Sequence, residues 1–156
     1  MNRIVFFVVF VFGLFLMAFY GAVFYNASDT YNRAFKEYRD HIEALNGEVM
    51  NAESCQEVLK ATNETLEYAG AELDTIPPTA ELSLMDIMLR ARTKNCTEGL
   101  LIGLKREYYT GVYEPLRWQT PKVAKEAEGD AVSAMFTFLV GFMLAVVGLD
   151  GYRSSR

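Results

Sequence analysis

Residues 4–25 form an apolar run of 22 positions without a charged side chain, and residues 131–149 form a second of 19 positions, with Asp130 and Asp150 just outside it. As a helix the first run is about 33 Å long, enough to cross a hydrocarbon core of about 30 Å. Between the runs, apolar residues recur at helical spacing in a polar, acidic background. The pattern predicts a mainly α chain: a short tail over 1–3, a transmembrane helix over 4–25, a small helical extracytoplasmic domain over 26–130, a second transmembrane helix over 131–149, and a tail over 150–156.

Within the middle segment, Tyr31, Phe35, Tyr38, Ile42, Leu45 and Val49 step by 4, 3, 4, 3 and 4, the seam of a stalk helix over about 28–50. Nothing between Tyr25 and Tyr31 forces a break from the first apolar run. A seam under three heptads is short for a free-standing coiled coil, so a contact within the chain is expected, and a homo-oligomer remains a candidate. Asn46-Gly47 offers a stop for the stalk, whereas the heptad phase continues to Val49 at the cost of one helical glycine. Ser54-Cys55-Gln56-Glu57 has the form of a capping box, followed by the stripe Val58, Leu59, Thr62 and Leu66 to Gly70. Pro77-Pro78 marks a corner. Leu82, Met85, Met88 and Leu89 share a face of a third helix, and Leu100, Leu101, Leu104 and Tyr108 that of a fourth ending at Thr110-Gly111. Residues 111–129 read as irregular, broken by Pro115 and Pro121, with an exposed helical turn before the second apolar run.

Charge orients this layout. Residues 26–130 carry 12 Lys/Arg against 19 Asp/Glu, a net of −7, whereas the tails carry Arg3, Arg153 and Arg156 against Asp150, a net of +2. Short basic tails stay cytoplasmic, so both termini are expected inside and the acidic domain in the periplasm or outside the cell. The first run exceeds the apolar core of a signal peptide, and residues 18–26 lack small residues paired for cleavage, so an uncleaved anchor is expected. The acidic domain disfavours nucleic acid as a partner and leaves the lipid bilayer and other membrane subunits. In an oxidising compartment the two cysteines, Cys55 and Cys96, are expected to form a disulfide; elsewhere they read as buried thiols.

Chemistry-bearing patterns are sparse. His41 is the single histidine, on the polar side of the stalk beside Asp40 and Glu43, and reads as a solvated side chain rather than a metal ligand. No glycine-rich phosphate loop or nucleophile–base pair is apparent, so no enzyme activity and no cofactor are expected. Neither apolar run contains an ionisable Asp, Glu, Lys, Arg or His of the kind that marks a transport path. Ala134, Thr137, Gly141, Ala145 and Gly148 form a small-residue stripe along the second run, a membrane packing face for another subunit or for the Phe-rich first run. Tyr108, Tyr109, Tyr113 and Trp118, with Lys105, Arg106 and Arg117, suit either a lipid-headgroup or glycan site or the closure of a small core. Three sequons begin at Asn26, Asn63 and Asn95.

Two terminal anchors around a helical outer domain resemble, in layout alone, the polysaccharide co-polymerases. The domain here is much shorter and the second apolar run has no proline-rich element, so the resemblance assigns no residue a role. The expected function is non-enzymatic: an accessory or scaffold subunit of a larger membrane complex. The alternative is a small envelope regulator acting in lysis, superinfection exclusion or assembly.

Overall fold

A computed structural model describes residues 3–93 and 95–154. Arg156, used above in the tail charge, lies outside the described residues, as do Met1, Asn2, Lys94 and Ser155. Among the described residues every regular element is helical: α1 (Arg3–Asn51), α2 (Cys55–Glu72), α3 (Pro78–Thr93), α4 (Glu98–Glu107), a π-helical turn (Tyr108–Tyr113), α5 (Glu114–Arg117) and α6 (Lys122–Ser154). The chain divides into two compact units, one gathering residues up to Asn32 and from Ala124 onward, the other Arg33–Val123. α1 and α6 each contain a window long and apolar enough to cross a membrane, with mean hydropathies of 2.6 and 2.3.

In the unit Arg33–Val123, the stalk seam supplies one wall of the core. Tyr38, Ile42, Leu45 and Val49 are buried, whereas Phe35 is only partly so, and Tyr31, also partly buried, belongs to the other unit. α1 does not stop at Asn46-Gly47 but runs to Asn51, because Val49 and Ala52 are buried against the same core. Tertiary burial outweighs the roughly 1 kcal/mol that a helical glycine costs. The capping motif of α2 forms with a shifted return bond. Ser54 Oγ accepts from the Glu57 N–H at 3.2 Å, while Glu57 Oε2 accepts from the Glu53 N–H at 2.7 Å. The bond from Glu53 is the main reason that the Glu57 carboxyl lies below its ordinary pKa. α2 passes Gly70 and ends at Glu72, where the Leu73 N–H bonds the Ala69 carbonyl at 2.8 Å. The Cys55–Cys96 disulfide forms, with Cα atoms 5.8 Å apart, and ties the first residue of α2 to the loop before α4. Closing this loop stabilises the unit by about 4 kcal/mol in the chain-entropy account.

The second half of this unit departs from the sequence pattern in two places. In the third helix Ala80, Ser83, Ile87 and Ala91 are buried, Leu82, Met85 and Leu89 point out, 60–66% exposed, and Met88 is partly buried against the core. Small residues face inward because the neighbouring π turn comes very close. A Cβ placed on Gly111 would fall on the Ser83 side chain. Nor does the fourth helix end at Thr110-Gly111. The helical path continues through the π turn and α5 to Arg117, and Pro115 sits inside it. Proline normally interrupts a helix by removing an N–H and crowding the carbonyl four residues back. Here the register has already changed, since the Glu114 N–H bonds the Tyr109 carbonyl five residues back, and the proline falls in the first turn after that change.

Two lysines close helix ends that sequence spacing did not flag. Lys105 Nζ donates to the Met50 carbonyl at 2.7 Å, and Lys122 Nζ to the Ala71 carbonyl at 3.1 Å. Each puts a cation where the last carbonyls of α1 and α2 lack helical partners.

Candidate functional site

The unit formed by the two apolar segments is inverted relative to a water-soluble helix pair. Its seam is small: Ala134, Gly141, Ala145 and Gly148 of α6 are buried, and Thr137 is partly so. A Cβ on Gly148 would lie 2.5 Å from the Phe10 nitrogen, and one on Gly141 would lie 2.8 Å from Leu16 Cβ and 3.0 Å from the Gly13 carbonyl oxygen. Sequence reading set the small stripe against a first helix with phenylalanine on every face. A glycine of the first helix also enters the seam, since a Cβ on Gly13 would lie 2.5 Å from the Ala145 nitrogen and 2.6 Å from the Gly141 carbonyl oxygen. Gly13 was missed because one glycine among bulky residues does not mark a stripe. Phe7, Phe12, Phe15, Phe136, Phe142 and Met143 point away from the seam, at least half exposed, whereas Phe6 is partly buried with its ring against Gly151. Around Gly21 the surface opens into a wholly apolar notch of about 400 Å³, bordered by Phe24, Met135, Phe138 and Leu139.

In the other unit three tyrosines and a threonine of the core make structural bonds, whereas Asn46 Oδ1 and Arg117 Nε are buried without a hydrogen-bond partner among the described residues. Tyr38, 1% exposed, donates to the Leu116 carbonyl at 3.0 Å, linking the stalk to the end of α5. Tyr108 and Thr65 share a hydrogen bond of 3.2 Å, and Thr65 also donates to the Ala61 carbonyl at 2.8 Å. Tyr113 donates to Glu43 Oε2 at 2.8 Å. Burial raises the pKa of all three phenols: Tyr108 is pushed up to about 12, Tyr38 well above the ordinary range, and Tyr113 upward with help from the Glu43 carboxylate. Such groups stay neutral at physiological pH and act as donors.

The aromatic cluster divides accordingly. Tyr108 and Tyr113 close the core, while Tyr109 and Trp118 face outward. Arg117 lies 4.9 Å from the Trp118 ring centroid and 5.7 Å from that of Tyr113. His41 is exposed as expected, yet its ring rests on Tyr68 with centroids 3.9 Å apart. Tyr68 in turn stacks on Tyr38 at 5.9 Å. Asn63 lies within α2 and its sequon threonine, Thr65, is fully buried; Asn95 is exposed in the loop that carries Cys96.

Among the described residues no three His, Cys, Asp or Glu side chains converge as a metal site would require. What the geometry offers chemically is surface: an apolar helix pair with an outward bulky face, and a second unit in which Leu82, Met85 and Leu89 of α3 are uncovered. No family model, no curated protein and no solved structure matches this chain.

Proposed function

We propose that the protein is a non-enzymatic, two-pass integral membrane protein serving as an accessory or scaffold subunit of a larger membrane complex. The observation that carries the reading is the inside-out burial of the apolar pair: small residues at the seam, phenylalanines outward. Water would penalise that outward face, whereas lipid accepts it and leaves close van der Waals packing to hold the helices together. The basic residues Arg3 and Arg153, beyond the apolar stretches, support a cytoplasmic location for both tails, with residues 26–130 in the periplasm or outside the cell.

The stripe Ala134–Thr137–Gly141–Ala145–Gly148 contacts the first apolar segment of its own chain, so a partner subunit is assigned elsewhere. Within the bilayer it meets the outward phenylalanines; outside, it meets the acidic unit. The scaffold role predicts a stoichiometric partner that remains bound through purification of the tagged protein from its native membrane in mild detergent. Recovery of the protein with no other chain at comparable amount contradicts it.

A further inference from the structure

The face of α3 that escapes the core has a pattern of its own. Leu82, Met85 and Leu89 are 66%, 60% and 62% exposed, and at 100° per residue they lie within about 60° of one another. Scattered apolar residues on a surface are ordinary; three aligned on one helix face opposite the core form a continuous strip. The flanking charges are ordered along the helix, with Glu81 in the first turn and Arg92 in the last. By helical phase both flank the strip on its Met85 side, about 20° apart. Neither makes an ion pair within the chain among the described residues, in contrast to Arg90, which pairs with Asp86 at 2.9 Å.

We propose that this face is a homotypic interface that binds α3 of a second copy of this chain in antiparallel orientation. A two-fold axis passing between the levels of Met85 and Asp86 sets Leu82 opposite Leu89 of the second copy and brings the two Met85 side chains together at the centre. The same axis keeps each flank on its own side. It therefore places Glu81 of one copy about 3 Å along the axis from Arg92 of the other, within reach of a long guanidinium side chain. A parallel two-fold pairing would instead carry this flank to opposite sides of the seam and form no Glu81–Arg92 pair between the copies. The charge order thus selects both the occupant and its direction, and symmetry supplies the ion pair twice. The inference does not depend on the apolar helices crossing a membrane.

The test uses the full chain in detergent, its mass measured by light scattering with the detergent contribution subtracted. The wild type is expected to be a dimer, and Met85→Glu, which places two carboxylates at the two-fold axis, a monomer with unchanged thermal unfolding. Glu81→Arg or Arg92→Glu alone is expected to raise the dimer dissociation constant about tenfold by opposing like charges, and the double exchange to restore it. Chains carrying Leu82→Cys mixed with chains carrying Leu89→Cys should cross-link under copper–phenanthroline oxidation more than either variant alone. A wild-type monomer at every concentration overturns the inference, whether another protein or lipid covers the face. So does a dimer that survives Met85→Glu, since it would be held by another surface. Failure of the double exchange to restore the dimer overturns the antiparallel arrangement.

Discussion

Gly47 lies within α1, has no positive φ, and would place a Cβ in open space with no atom within 4 Å. Gly47→Ala should therefore raise the stability of the unit Arg33–Val123 by about 1 kcal/mol, through helix propensity and a less flexible unfolded chain. Chemical denaturation followed by circular dichroism would read the shift; a loss of stability would mean that the helix does not continue through residue 47. The buried tyrosines predict a pH dependence. Tyr38, Tyr68, Tyr108 and Tyr113 all have raised pKa values, so the folded state disfavours their ionised forms. Their contribution to stability is fully present below the unfolded phenol value of about 10 and is lost as pH rises through their folded values, about 12 for Tyr108. Spectrophotometric titration should show a fraction of the tyrosines ionising only on unfolding above pH 10, and Tyr108→Phe should shrink that fraction. Ionisation of every tyrosine near 10 in the folded protein would contradict the buried network.

Among the elements, α6 and the first part of α1 make the sharpest prediction. A side chain at Gly141 meets Leu16 Cβ and the Gly13 backbone at 2.8–3.0 Å, so Gly141→Leu must push the helices apart. We expect a loss of about 1–3 kcal/mol in the stability of the apolar pair. Met143→Phe adds bulk at a position 66% exposed and should be neutral. Thermal unfolding in detergent compares the two, and equal effects would show that the seam is elsewhere. The same scale explains what was legible in the sequence. The stalk seam and the α6 stripe were readable because burial there follows residue size in a regular period. The apolar face of α3 was legible, but periodicity identifies such a side without saying which solvent or partner it meets. Its core side is built from Ala80, Ser83 and Ala91 to admit the Gly111 turn, a contact 28 residues away in sequence that no local pattern encodes. The π turn was hidden likewise: Gly111 and Pro115 are ordinary helix breakers until a change of hydrogen-bond register lets the chain pass both.

At the scale of the molecule, the proposed topology sets an acidic, disulfide-closed unit on one side of a bilayer and basic tails on the other. The disulfide was predictable from an even cysteine count in a segment expected to be exported, and the structure forms it. The proposed sidedness rests on charge, which no packing contact reports. The most direct test is thiol labelling of the full chain in intact cells with a membrane-impermeant maleimide, using single introduced cysteines at Ser154 in the tail and at Glu67, exposed on α2. Labelling at Glu67→Cys from outside, with labelling at Ser154→Cys only after the membrane is permeabilised, is the predicted result. Labelling of both positions from outside, or of neither until the membrane is opened, would contradict it.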